Sequence, residues 1–197
     1  MKDFWNERYK ATEYAYGEAP NQFMVEQLKQ LTPGRILFPG EGEGRNAVYA
    51  ATQNWEVNAF DISIEGQKKA QLLAKKHNTT INYQVLNYEN VDFPPESFDC
   101  IVLIFAHIHA EKRTDIHRKL ASFLKPGGHL LLESFTKEQV AYNTGGPKNV
   151  DMLYSEEELR HDFSSFSELS IRQTEEALNE GRFHQGKASL IRVIGVK

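Results

Sequence analysis

A single cysteine among 197 residues leaves no disulfide framework to expect. Cys100 lies inside an apolar run, where a thiol behaves as a small hydrophobe with nothing beside it to lower its pKa. No apolar run is long enough to cross a bilayer, and Met1-Lys2-Asp3-Phe4-Trp5 lacks the apolar core of a signal peptide. Those absences predict a cytoplasmic protein with no membrane partner. A surplus of positive charge is missing too. The formal net charge is −4 with the signs interspersed, so no basic stripe awaits a phosphate backbone and nucleic acid is not an expected partner. Internal repeats and low-complexity tracts are also absent. What remains, 40% hydrophobic residues, can bury one sizeable core but not a dinucleotide domain plus a separate substrate domain. One domain over residues 1–197 is the expectation.

The glycines are few and concentrated where they matter. Ile36-Leu37-Phe38 reads as a buried parallel strand, Pro39-Gly40-Glu41-Gly42-Glu43-Gly44 as a turn stripped of Cβ atoms, and Arg45-Asn46-Ala47-Val48-Tyr49-Ala50-Ala51 as the start of a helix. Such a turn lets a ligand approach the main chain, and the helix start offers it unpaired N–H groups. The next strand, Trp55 to Phe60, ends at Asp61-Ile62-Ser63, where a carboxylate can accept both hydroxyls of a ribose. An adenosine-like ligand follows. Because Gly42-x-Gly44-x-x-Ala47 also fits a dinucleotide fingerprint, the glycines alone leave both NAD and S-adenosylmethionine open.

Around this unit the chain reads as repeated strand–helix pairs. Phe4, Trp5, Tyr9, Tyr14 and Tyr16 make an aromatic arm, read either as a helix docked on the sheet or as a lid over a ligand. Met24, Leu28 and Leu31 mark a helix stopped by Pro33-Gly34. Ser63 caps a helix with Ala70, Leu73 and Ala74 on its apolar side and Lys68, Lys69, Lys75 and Lys76 expected in solvent. A third strand alternates through Ile81, Tyr83 and Val85 to Asn87-Tyr88, where Asn87 is either an amide facing an adenine edge or a turn residue. The continuously apolar run Phe98 to Ala106 is the expected centre of the sheet. His107-Ile108-His109 stands just beyond its carboxyl end, where ligands of open α/β sheets bind. With no third ligand at a fixed spacing, the pair is not read as a metal site. A turn at Lys125-Pro126-Gly127-Gly128 precedes a fifth strand, His129 to Phe135; a long connection, Thr136 to Tyr154, is expected over the active site. Ser155-x-x-Glu158 is a capping box, and Leu169–Ile171 and Ser189–Val196 read as a final antiparallel pair.

Together, the Gly40-x-Gly42-x-Gly44 turn after strand one, the acid closing strand two, the apolar fourth strand, the Leu124-Lys125-Pro126-Gly127-Gly128 turn and the terminal hairpin resemble a class I S-adenosylmethionine-dependent methyltransferase. Glu41-Gly42-Glu43-Gly44-Arg45-Asn46, the Trp5–Tyr9 arm with Tyr16-Gly17-x-x-Pro20-Asn21, and Thr144-Gly145-Gly146-Pro147 are similar to the small branch near the tellurite-resistance and thiopurine methyltransferases. The resemblance implies an α/β, Rossmann-like, seven-stranded, mostly parallel sheet in the order 3-2-1-4-5-7-6, with strand seven antiparallel and helices on both faces. It also implies S-adenosylmethionine as cofactor: Gly40, Glu41, Gly42 and Gly44 along its methionine and ribose part, Asp61 on the ribose, Ile62, Asn87 and Tyr88 around the adenine, Phe105 at the methionine end and Tyr16 in the lid. One departure stands out. Phe38 occupies the place of an acid that helps hold the cofactor's ammonium in this family, so a non-catalytic cofactor-binding protein stays beside the enzyme reading, with an NAD-dependent oxidoreductase as a third.

The expected reaction is methyl transfer to a small-molecule acceptor, a thiol or chalcogen or another small metabolite. Positioning and exclusion of water carry most of such a displacement. His107 and His109 are the candidate catalytic residues, His107 first because an unperturbed imidazole titrates near 7.

Overall fold

The computed structural model describes residues 1–197. Its sheet has seven strands in the order β3-β2-β1-β4-β5-β7-β6. The strands are β1 (Arg35–Pro39), β2 (Glu56–Asp61), β3 (Asn82–Val85), β4 (Phe98–Ile104), β5 (Leu124–Phe135), β6 (Glu168–Glu180) and β7 (His184–Val196). β7 runs antiparallel to both of its neighbours, while the pairs from β3 to β5 are parallel. The helices are α1 (Lys2–Tyr9), α2 (Gln22–Leu28), α3 (Arg45–Thr52), α4 (Ile64–Lys76), α5 (Ala110–Ser122) and α6 (Glu156–Asp162). The sheet order and strand directions are those the resemblance implies.

Strand periodicity divides the core in two. Ile36, Phe38, Val57, Ala59, Cys100 and Val102 point to the face covered by α2, α3 and α4; Leu37, Phe60, Ile101 and Leu103 point to the face covered by α5 and α6. Local chemistry sets the helix ends. Asn21 accepts from the Met24 N–H at 2.9 Å, Ser63 from Gly66 at 3.1 Å, and Ser155 with Glu158 forms the expected capping box. Cys100 is fully buried, and burial pushes its thiol well above the ordinary range.

Four expectations need correction. Lys69 is not solvated: it is 9% exposed, its Nζ lies 2.5 Å from Glu43, and it donates to the carbonyls of Ala11 and Glu13 at 2.9 and 2.6 Å. The chain that follows α1 passes over α4 there and turns an outward face into a buried one. The Lys125–Gly128 turn lies within β5, which opens at Leu124 opposite Phe98 and slips register before His129 meets Cys100. β6 and β7 are each 13 residues long and paired to the end, Glu180 against His184, so the stretch read as a loose connection is strand. Finally, residues 136–154 do not border the central cavity. They carry two short 3-10 turns and pack behind it, with Gly146 against the ring of Phe135.

Candidate functional site

The carboxyl ends of β1, β2 and β4 open on a cavity of about 280 Å³. It lies beside β1, which pairs with β2 on one side and β4 on the other, the switch point at which open α/β sheets leave a crevice for a ligand. The structure brings Tyr16, Gly40, Glu41, Gly42, Asp61, Ile62, Asn87, Tyr88, Phe105, His107 and His109 to this one wall system.

Gly44 alone among the expected residues stays outside it. A Cβ there would lie 2.5 Å from the Cβ of Ala70, and its φ is +90°, so this glycine serves the close approach of α3 to α4. Gly40 does face the cavity: at φ +68° a Cβ would fall 2.2 Å from the Tyr88 hydroxyl oxygen. The Tyr88 ring sits edge-on to Phe60, centroids 5.5 Å apart, and forms an apolar wall with Ile62 and Leu86.

Two buried carboxyl groups line the middle. Asp61 Oδ1 accepts from the Ser63 N–H at 2.8 Å and Oδ2 from the Gly42 N–H at 3.1 Å, so the turn after β1 and the turn after β2 are tied through one side chain. Burial pushes its carboxyl up to about 6 against those backbone donors, and about half of a carboxylate's four acceptor positions stay free for a ligand. Glu41 Oε1 accepts from the N–H groups of Asn46 and Ala47 at 2.9 and 2.7 Å, which caps the amino end of α3. Burial pushes Glu41 up to about 7. Phe38, by contrast, is core; of the acids that line the cavity, Glu43 is paired with Lys69 and Glu89 with Lys112, while Glu41 and Asp61 have no cation partner. Asn87 is committed locally, accepting from the Asn90 N–H at 2.9 Å and donating to Glu89 at 3.1 Å.

The far end is aromatic and neutral. β4 stops at Ile104, and Phe105 takes φ +50°, a conformation a bulky residue adopts only when its surroundings impose it. Its ring lies 4.7 Å from Phe135 and 4.4 Å from His184. Phe135 itself is fully buried behind the wall. His107 stacks on Phe135 at 6.0 Å, and its Nδ1 is enclosed without a partner. Burial lowers that imidazole to about 3, with His184 adding to the effect and the Met152 carbonyl opposing it, so an imidazole titrating near 7 is not what this position holds. His109 stands at the amino end of α5 with no capping bond from its side chain. Over the top runs α1, where Trp5 stacks on Tyr9 at 5.4 Å and Tyr9 meets Tyr16 edge-on at 6.5 Å.

Sequence reasoning missed Arg45, Glu43 and above all His184, which borders the cavity from the tip of the β6–β7 hairpin. No spacing marks His184; only Gly181 and Gly186, flanking it, signal a turn that could carry a side chain inward.

Comparison with known proteins agrees with this geometry. Residues 36–128 match the methyltransferase domain family. That match spans just under half of the chain, and with the sheet order it makes the chain similar to the class I S-adenosylmethionine-dependent methyltransferases, a family whose cofactor is S-adenosylmethionine. A ubiquinone biosynthesis O-methyltransferase of Xanthomonas euvesicatoria pv. vesicatoria is 31% identical over 114 residues, 57% of this chain and 48% of that one. The chain thus spans about half the length of the curated relatives it matches. Among solved structures, TehB from Haemophilus influenzae superposes with a TM-score of 0.72 at 19% identity, covering 100% of this chain and 66% of that one. A methyltransferase from Methanosarcina mazei gives 0.67 at 19%, covering 91% and 98%. The cavity fits the family's cofactor on its own terms: a Cβ-free cradle at Gly40, a buried carboxylate with open acceptor positions at Asp61, and an apolar slot at Ile62, Leu86 and Tyr88.

Proposed function

We propose that this protein methylates a small acceptor, a thiol or another soft chalcogen nucleophile, in the cavity between the Gly40–Gly42 turn and His184. The observation that carries the reading is Asp61, a buried carboxylate bound to both neighbouring turns and still open to a ligand. The cofactor of this family supplies a methyl group on a positively charged sulfur. Asp61 would accept the ribose hydroxyls, Ile62 and Tyr88 would flank the base, and Glu41 would offer a charge to the ammonium in place of the acid absent at position 38. α1 would exclude water with Trp5 and Tyr9.

The acceptor class follows from the far wall. Tyr16, Phe105, His107 and His184 present rings, and the cation there, Arg45, is spent on Glu180 at 2.8 Å. An anionic acceptor meets no free cation at that end, whereas a compact neutral nucleophile does not need one.

Calorimetry with S-adenosylmethionine and S-adenosylhomocysteine tests the site. Asp61→Ala should cost about 1.5–3 kcal/mol of binding, the worth of hydrogen bonds to a charged group. Because hydroxyl donors prefer the ionised carboxylate, affinity should also fall as pH drops through about 6. Unchanged affinity in the variant removes Asp61 from the site. The acceptor is tested with a screen of thiols, metalloid oxyanions and phenols, the last because the curated relative is named for O-methylation. Transfer to phenols but to no thiol or chalcogen would overturn the acceptor class.

A further inference from the structure

The terminal hairpin brings into the cavity a side chain for which the cofactor has no use. His184 opens β7 directly opposite Glu180, the last residue of β6. Its ring is boxed by Phe105 at 4.4 Å, Tyr16 at 4.5 Å and Phe135 at 5.3 Å, and from behind by Gly145, where a Cβ would fall 3.0 Å from its Cδ2. Nδ1 lies 3.3 Å from Glu180 Oε2. Nε2 has no protein partner and is not enclosed, so it opens into the cavity that the residue lines. Glu180 is itself fixed by Arg45 at 2.8 Å and by the Asn21 amide at 3.3 Å.

We propose that His184 is the general base that takes a proton from the methyl acceptor, and that Glu180 is the positioning residue that holds it in the required tautomer. The inference rests on the methyl-transfer reading above and adds that the acceptor arrives protonated, as a thiol.

A carboxylate accepting from Nδ1–H leaves the lone pair on Nε2, facing the acceptor. Burial alone would raise the Glu180 carboxyl, but His184 and Arg45 outweigh it and hold it down at about 2, so the acceptor of that bond stays ionised. The groups facing His184 are Arg8 from α1, Tyr16 from the arm, Arg45 from α3, His107 beyond β4 and Glu180 across the hairpin. Burial, Arg45 and Arg8 push its imidazole below the ordinary value while Glu180 opposes them, so the ring is neutral at pH 7 and ready to accept. His107, sealed at Nδ1 and held near 3, is the poorer acceptor. In the step, the acceptor's S–H bond breaks and its proton goes to Nε2. The electron pair left on that sulfur forms the bond to the methyl carbon, as the carbon's former bond to the cofactor sulfur breaks and its pair neutralises the sulfonium. The positive charge ends on the imidazolium, next to Glu180.

Two probes separate a base from a structural histidine: phenylmethanethiol, protonated at neutral pH, and 4-nitrobenzenethiol, already ionised. His184→Gln should lower kcat for phenylmethanethiol by about 10²–10⁴-fold and abolish the acid limb of its pH profile, with a loss on 4-nitrobenzenethiol smaller by about tenfold or more. Glu180→Gln should give an intermediate loss on the first thiol. Equal losses on both thiols, or a parent that binds the cofactor and methylates neither, overturn the proposal. A second readout uses the ligand-free protein: nitrogen NMR of labelled histidines should show His184 neutral at pH 7 with its proton on Nδ1, and Glu180→Gln should erase that preference. A proton on Nε2, or an imidazolium at neutral pH, overturns the dyad whatever the kinetics. If calorimetry shows that the parent binds neither S-adenosylmethionine nor S-adenosylhomocysteine, it is the methyl-transfer reading that fails, while the NMR result still judges the tautomer.

Discussion

Glu43 and Lys69 form the pair on which the amino-terminal arm is fastened. Glu43 accepts from the Ala15 N–H at 2.8 Å and meets Lys69 at 2.5 Å, with side chains 4% and 11% exposed. Lys69→Met would leave that carboxylate buried without a cation, a loss of about 3–5 kcal/mol for a broken buried pair. Burial already raises Glu43 despite Lys69, so in the variant it takes up a proton on mild acidification. The penalty should therefore be larger at pH 8 than at pH 5, read from urea unfolding of parent and variant at both. A penalty independent of pH would show that the lysine acts through its aliphatic stem instead. A helical wheel cannot reveal this pair, because what buries Lys69 is a segment more than fifty residues away in sequence.

At the scale of elements, α1 is the one that a ligand could fasten further. Half of its residues are exposed, eight residues make a marginal helix, and its ties to the body include Ser63 donating to Asn6 at 2.7 Å and Arg8 donating to Tyr16 at 3.1 Å. Residues 11–15, by contrast, are clamped by Lys69 and Glu43. Saturating S-adenosylhomocysteine should slow hydrogen exchange over residues 2–9 and change little over 11–15. Identical exchange in α1 with and without ligand would make it a fixed wall and not a lid. The β1–α3–β2 unit was legible because its signals are local: an apolar triplet, glycines, an acid. β6 was not. As an edge strand from Glu168 to Glu180 it alternates weakly and carries charge, which guards an edge against foreign strands while erasing the pattern that names a strand. With the strand's length went the register, and with the register went the pairing of Glu180 and His184.

For the whole molecule, the sheet is built to stand without the arm. Both large core clusters begin after the arm, at Phe23 and Leu37, and fill the two faces with residues that strand alternation assigns in advance. Deleting residues 1–16 removes Trp5, Tyr9 and Tyr16 from the cavity wall and exposes the Glu43–Lys69 pair, which then has water to solvate it. Little of the two core clusters is lost. The truncated chain should therefore still unfold cooperatively in urea, with a somewhat lower midpoint. Its affinity for S-adenosylhomocysteine should drop by about tenfold or more, ~1.4 kcal/mol, since the ligand would lose its aromatic cover and gain solvent contact along one side. A truncated protein that cannot fold would mean that the arm belongs to the core. One that binds as tightly as the parent would mean that Asp61, Glu41 and the bare turn at Gly40 hold the cofactor unaided.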